Sequence, residues 1–375
     1  MTKPMTYAGV GVDYDAMDPF KRMAQKAGRA TAHALGRHGY MEVEESRGES
    51  AYLIETPQGY LAHVEEGLGT KNLVADEMYR LTGKSYYGHI GQDAVAMIVN
   101  DMITLGALPL SVAMHLAVGS SDWFSDEKRS RDLVDGWKDA CTQALCVWGG
   151  GETPTLRDIV LPGTFVLSGS ALGLIQPKER RIRANVQHGD AIVLLESSGI
   201  HANGLTLARK IAERLPEGYL TRLDTGATYG ETLLAPTPLY VSVIDLCLRE
   251  GVEIHYAVNI TGHGWRKLMR APEPFAYVIE TLPSSLPIFD FIQKQGPVSD
   301  EEAYENLNMG AGFALYVPET HVERLWKILL GLFNGKASLG FAGAVRAGHV
   351  ESSRERKVTI KPKNLEYGAS RLGVR

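Results

Sequence analysis

The chain has 375 residues, 44 acidic against 39 basic side chains for a formal charge of −5, and 44% hydrophobic content; this excludes a disordered chain and allows two domains with separate cores. Near-neutral charge without a basic block argues against nucleic-acid or anionic-membrane partners. No apolar run approaches the roughly 18 residues of a spanning helix and residues 1–20 carry no hydrophobic signal core, so a cytoplasmic location is expected.

After a loose start, AYLIET and YLAHV flank Pro57, Gln58 and Gly59, a predicted hairpin over 51–64. Helical periodicity covers 71–81 and 91–105, the second with Val95, Met97, Ile98, Met102 and Leu105 inside. Pro109 introduces an extended apolar run through Val118. The segment from Ser125 to Leu145 opens on Ser125, Asp126 and Glu127, as a helix dipole favours, and sets Leu133, Trp137, Cys141 and Ala144 on one stripe. Residues 146–154 turn to glycine, 163–175 alternate like a strand, and the charged run 176–190 marks a domain boundary. AIVLLE over 191–196 reads as a buried strand, followed by SSGIHANG and a helix over 204–214.

Further helices are expected at 237–249, 262–270 and 319–331, with strands near 275–280, 312–317 and 338–346. Alternating strands and helices without a long repeat predict α/β (α+β) layers in domains 1–177 and 178–361 with a basic tail, 362–375. Residues 351–375 carry seven Lys or Arg against three Glu. They read as a strand at 357–361 and a solvated tail; an RNA-binding arm would bring an aromatic platform, which is missing. Cys141, Cys146 and Cys247 lack paired metal-ligand spacing and read as reduced thiols.

Chemistry concentrates in glycine-rich loops. Gly83, Lys84 and Ser85 resemble the end of a phosphate-binding loop, but Met78 stands where that motif needs glycine. Residues 65–71, EEGLGTK, open a helix with two carboxylates, two glycines, a hydroxyl and Lys71, and read either as a capping turn or as a phosphate cradle. On the next helix Asp93, Asn100 and Asp101 interrupt AVAMIVNDMITL. They form either a satisfied interhelix network or, with Glu152 in a second glycine loop, a magnesium site beside a nucleotide. Ser197 to Gly204 place His201 and Asn203 in a strand-to-helix loop, where α/β proteins bind anions; Thr261, Gly262, His263, Gly264 and Trp265 repeat the arrangement.

The order of these loops resembles the aminoimidazole ribonucleotide synthetase family. The similar pieces are GVGVDYDA, EEGLGTK, IGQDAVAMIVNDMITLGALPL, GGGETP, GDAIVLLESSGIHANGLTLARKI, LLAPTPLYV, ITGHGW and NMGAGFALYVP, from residue 9 to about 318. The resemblance implies an N-terminal ATP-binding domain that dimerises through strands and a C-terminal α/β domain completing the site. It implies an ATP- and Mg²⁺-dependent cyclo-ligase acting on a ribonucleotide, formylglycinamidine ribonucleotide, whose amide oxygen is phosphorylated before ring closure. The alternatives are a paralogue activating another amide, carboxylate or phosphate acceptor, and a non-catalytic nucleotide-binding regulator.

Carried over by position, Glu66, Asp93, Asp101 and Glu152 are the expected cation ligands. Gly67, Gly69, Thr70, Lys71, Asp93, Gly150, Gly151, Glu152 and Thr153 are expected at ATP. Ser198, Gly199, His201, Asn203, Gly204, Thr261 and Gly262 are expected at the ribonucleotide, with His201, Asn203 and Lys71 in catalysis. The chain departs from the family pattern at Glu66, which replaces an aspartate, at Met114, where an aspartate is common, over Pro154, Thr155, Leu156 and Arg157, where a carboxylate is lost, and at His263, which replaces a glycine.

Overall fold

The computed structural model describes residues 4–334, 340 and 343–372. The first half contains α1 (Tyr14–Arg29), β1 (Met41–Glu42), β2 (Tyr52–Glu55), β3 (Tyr60–Gly67), α2 (Lys71–Thr82), α3 (Tyr87–Met102), β4 (Leu108–Val118), α4 (Glu127–Gln143), β5 (Val147–Glu152) and β6 (Phe165–Ile175). The second contains β7 (Ala191–Glu196), α5 (Leu205–Ala212), α6 (Tyr229–Leu233), α7 (Val241–Arg249), β8 (Tyr256–Asn259), β9 (Phe275–Ile279), α8 (Pro287–Gln295), α9 (Asp300–Asn306), β10 (Ala311–Val317), α10 (Glu319–Phe333), β11 (Ala344–Ser352), β12 (Lys357–Ile360) and β13 (Leu365–Gly368). A six-stranded sheet ordered β1-β2-β3-β6-β4-β5 and a seven-stranded sheet ordered β13-β12-β9-β11-β7-β10-β8 form the two layers around which the helices pack. Among the described residues no helix is long and apolar enough to cross a membrane.

In the first sheet, alternation assigns the faces. Tyr60, Ala62 and Val64 of β3, Val112 and Leu116 of β4, and Phe165, Leu167 and Ala171 of β6 are buried in the core beneath α3 and α4. Gly169 lets this layer close up: a Cβ there would stand 3.0 Å from Ile98 and 3.1 Å from Trp137. On the opposite face, among the described residues, Val147, Val166 and Leu172 are exposed. Its row Val147, Ser111, Leu172 and His63 is in register across four strands. In the second sheet β7 and β10 are central and buried on both faces, which is why AIVLLE and AGFALYV read as continuous apolar runs.

The hairpin, the helices over 71–81, 91–105 and 125–145, and the strands over 163–175 and 191–196 lie where the periodicity sets them, within a few residues. Four differences have physical causes. The loose start contains α1, an exposed helix, and its preceding segment is docked on the other half: Met5 N donates to Gly296 O (3.0 Å) and Tyr7 N to Glu302 Oε1 (2.7 Å). The glycine stretch at 146–154 contains an edge strand, β5, whose glycines permit backbone approach to β4; a Cβ on Gly151 would lie 2.2 Å from Met114 O. The strand expected at 338–346 is β11, beginning at Ala344; positions 335–339, 341 and 342 lie outside the described residues. The tail expected in solvent pairs as β13 with β12, buries Tyr367 and donates its hydroxyl to Glu301 O (2.8 Å). A polar strand on a sheet edge has no apolar periodicity to betray it.

Candidate active site

Two glycine loops meet between the halves. The loop from Gly67 to Thr70 leaves β3 and enters α2; Leu68 anchors it in the core, whereas Gly67 and Gly69 are exposed and Thr70 is half-buried. Gly69 has φ +74°, and a Cβ there would lie 3.9 Å from Ala202 O, in the loop Ser197–Gly204 between β7 and α5. The loop Gly67–Thr70 ends at the N-terminus of α2, where the first backbone N–H groups lack i−4 acceptors and Leu73 N turns back to Thr70 O (3.2 Å).

The second loop is shaped from below. Ser197 Oγ donates to Asn308 Oδ1 (3.0 Å), Asn308 Nδ2 donates to Gly199 O (2.9 Å), and Trp265 Nε1 donates to Asn308 O (2.7 Å). One buried asparagine therefore ties together the loops at 197–204, 261–265 and 308–312. His201, at φ +59°, is buried and receives Ser198 N–H at Nε2 (3.4 Å). Burial, then the charge of Lys71, pushes its imidazole down to about 3, so the ring is neutral. Gly312 makes room for it: a Cβ there would stand 2.8 Å from His201 Cε1 and 2.0 Å from the Tyr240 hydroxyl. Gly204, at φ +91°, turns the chain into α5 with Asn203 half-buried beside it.

Lys71 does not reach out of this gap. Its side chain is fully buried; Nζ lies 2.7 Å from Asp93 Oδ2 and donates to Ala235 O (2.7 Å). Asp93 Oδ1 accepts from Thr237 N (2.8 Å) and Thr237 Oγ1 (2.5 Å). Burial lowers the Lys71 ammonium, opposed by Asp93.

The reason lies in LLAPTPLYV. Pro236 and Pro238 keep that segment out of helix and sheet, so its carbonyls need side-chain partners. Pro236 O accepts from Ser198 Oγ (2.6 Å), Thr237 O from Gln92 Nε2 (2.9 Å) and Pro238 O from Asn100 Nδ2 (2.8 Å). Asn100 Oδ1 in turn accepts from Tyr240 N (3.0 Å). Of the two readings of Asp93 and Asn100, the structure selects the satisfied network, which pins the two halves together.

The four carboxylates expected as cation ligands are held in three places. Asp93 and Asp101 are eight residues apart on α3, about 12 Å along its axis. Glu66 is in register with Gly169, Met114 and Gly151, on the helix-covered face, whereas Glu152 is in register with His115, Ser168 and Gly67 on the open face. Three strand spacings separate Glu152 from Gly67, about 14 Å. Gly150, Gly151, Glu152 and Thr153 are accordingly exposed at the sheet edge. Only Glu66 and Asp101 meet, and among the described residues no three His, Cys, Asp or Glu side chains could hold a metal together.

Beside that pair lies a group the sequence analysis did not single out. Lys267 Nζ donates to Asn259 O (3.2 Å) and to Thr261 Oγ1, and Asn259 Nδ2 donates to Asp101 Oδ1 (2.7 Å). Burial and the neighbouring Asp101 carboxylate push Glu66 up to about 8, with Lys267 opposing. Burial pulls Lys267 down to about 8 against the attraction of Asp101. Thr261 is therefore tied to this pair through Lys267. Of the departures from the family pattern, Met114 is buried in the core, Arg157 is exposed, and His263 takes φ +68°, a conformation glycine adopts without strain.

Residues 48–175 match the family model described as AIR synthase related protein, N-terminal domain, and residues 187–332 match its C-terminal domain. A relative from Methanocaldococcus jannaschii named phosphoribosylformylglycinamidine cyclo-ligase is 36% identical over 277 residues, 73% of this chain and 76% of that protein. One of the same name from Carboxydothermus hydrogenoformans is 34% identical over 95% of this chain and 98% of the relative. The fold is also that of hydrogenase maturation protein HypE solved in complex with ATP (TM-score 0.59, 16% identity, 84% of this chain and 85% of that one). Thiamine monophosphate kinase from Aquifex aeolicus shares it too (TM-score 0.53, 15% identity, 84% and 92%). With both domain models matched in order and relatives above 30% identity along nearly its whole length, the chain belongs to the AIR synthase related protein family.

Proposed function

We propose that the chain is an ATP-dependent cyclo-ligase, forming a C–N bond by converting formylglycinamidine ribonucleotide to aminoimidazole ribonucleotide. The observation that carries this reading is the near end-to-end match to relatives named for that reaction. ATP use is supported by the solved neighbour in complex with ATP.

An amide oxygen is a poor leaving group, and phosphorylation supplies a better one; holding both ends of the activated molecule then makes closure effectively unimolecular. In this reading Gly67, Gly69 and Thr70, with the N–H groups opening α2, bind phosphate, and Gly150 to Thr153 border the nucleotide. Ser198, Gly199, Asn203 and Gly204 hold the ribonucleotide. His201, neutral throughout the working range, accepts or passes a proton at the reacting amide. Lys71 acts from beneath as the pin that fixes the Ala235–Pro236 segment, to which Ser198 is bonded, relative to α2 and α3. Magnesium enters as the counter-ion that ATP carries on its own phosphates, dispersing charge on the transferring group, and no protein carboxylate is assigned to it.

The homodimer belongs to the same proposal. A second copy covers the open face of the first sheet, where Val147, Val166 and Leu172 are exposed.

The test is direct. Purified protein with ATP, magnesium and formylglycinamidine ribonucleotide is expected to release ADP and the ring-closed product in equal amounts. ADP release only with a different acceptor would favour the paralogue, a reading to which Lys267 beside the carboxylate pair lends weight. No ADP with any acceptor would refute both.

A further inference from the structure

Glu66 and Asp101 are the acidic side chains of the site that meet, and by residue type alone they form a cation site. The fold brings a lysine to them. Lys267 lies in the short helical turn Gly264–Met269, after the loop Thr261–Gly264, and its ammonium is held by Asn259 O (3.2 Å) and Thr261 Oγ1. Asn259 uses its backbone carbonyl for the ammonium and its side-chain amide for Asp101 Oδ1 (2.7 Å), so one residue fixes cation and anion together. On the far side Arg270 is committed to Glu49 (3.6 Å), Ser50 Oγ (2.8 Å) and Gly48 O (2.5 Å), and Glu49 also accepts from the Tyr256 hydroxyl (2.9 Å).

The charged groups of this nest are Glu66, Asp101 and Glu49 against Lys267 and Arg270. Two fixed cations thus already offset two of the three carboxylates in this desolvated space. A divalent ion arriving at Glu66 and Asp101 would have to sit beside the ammonium that Asn259 O and Thr261 Oγ1 hold in place. Charge and geometry both oppose it.

We propose that Lys267 is the resident cation of this site: it neutralises the Glu66–Asp101 pair, so that the nucleotide-free protein holds no divalent ion there. The expected metal site and the observed lysine are alternatives for one electrostatic task. Any metal that takes part in turnover therefore arrives on phosphate oxygens. This deepens the reading above, because it concerns the cation chemistry of the same site.

The full chain is titrated with Mn²⁺ near neutral pH without nucleotide, free ion being followed by electron paramagnetic resonance. The parent is expected to show no stoichiometric site that Asp101→Asn abolishes. Lys267→Met is expected to gain one site per chain, roughly tenfold or more tighter than anything on the parent, and to lose it again with Asp101→Asn. Lys267→Arg, which keeps the charge, is expected to behave as the parent. Circular dichroism selects folded variants, and Lys267→Gln replaces Lys267→Met if the latter does not fold. An Asp101-dependent site on the parent, or a folded Lys267→Met or Lys267→Gln protein that gains none, overturns the proposal. Because no turnover is involved, these outcomes are separate from failure of the product assay, which bears on the functional reading instead.

Discussion

Asp93→Asn is the sharpest perturbation of the pin between the halves. Aspartate offers two acceptor oxygens here: Oδ1 serves Thr237 twice, and Oδ2 faces the Lys71 ammonium at 2.7 Å with both side chains fully buried. Asparagine offers one carbonyl oxygen. Whichever way its amide turns, either Lys71 or Thr237 meets an N–H, and the ammonium loses its counter-charge. Removing one partner of a buried ion pair costs about 3–5 kcal/mol, against typical total stabilities of roughly 5–15 kcal/mol. With an unfolding entropy near 2.1 cal/mol/K per residue, that corresponds to a fall in melting temperature of about 4–6 °C for a chain of this length.

The assay is a thermal melt of Asp93→Asn, Lys71→Met and the double variant, followed by far-ultraviolet circular dichroism. The double variant removes the stranded ammonium and leaves neutral groups, Ala235 O and the new amide N–H, facing the vacated space, so it is expected to melt above Asp93→Asn. A shift under about 1 °C for Asp93→Asn, or a double variant whose loss equals the sum of the single losses, would refute the reasoning, because independent sites add and a coupled pair does not.

Three further outcomes follow from named contacts. Gly312→Ala puts a Cβ 2.0 Å from the Tyr240 hydroxyl and 2.8 Å from His201 Cε1; overpacking of about 1–3 kcal/mol and a fall in turnover are expected, and unchanged kinetics would show that His201 has slack. Burial pushes Asp76 up to about 6 from the ordinary 3.8, opposed by the Tyr87 hydrogen bond and the Arg129 charge. The folded protein then keeps a proton that the unfolded chain releases, so this carboxyl lowers stability as pH rises from about 4 to 6, by up to ~3 kcal/mol, and the loss persists above. Asp76→Asn is accordingly expected to melt higher than the parent at neutral pH and level with it near pH 4; an advantage undiminished in acid would have another cause. Leu172→Glu, exposed on the open face between Ser111 and His63, is expected to give monomers in sedimentation velocity where the parent gives dimers, and an unaltered dimer would place the interface elsewhere.

Family membership and the α/β layering were legible because their signals are local. A hairpin needs only a turn between two alternating runs, and a buried strand such as 191–196 announces itself by continuous apolar residues. The loops Gly67–Thr70 and Ser197–Gly204 were legible for the same reason, since glycine marks where backbone must turn or approach closely. Lys267 left no such mark: one basic residue in a polar turn resembles any solvated lysine until Asn259 and Thr261 are seen around its ammonium. Asn308 stood inside the quoted NMGAGF piece, yet its part in tying three loops together depends on contacts more than a hundred residues away.

What the sequence determined by itself is therefore the set of acids, glycines and hydroxyls available to the site, and the elements that carry them. Which acid meets which cation was decided only by tertiary packing. The periodicity of α3 separates Asp93 from Asp101 by a little over two turns, and the pleat of the first sheet sends Glu66 and Glu152 to opposite faces. A carboxylate's role is set by the charge sharing its desolvated space. For Asp93 and Asp101 that charge comes from Lys71 and Lys267, on elements that only the folded chain brings alongside.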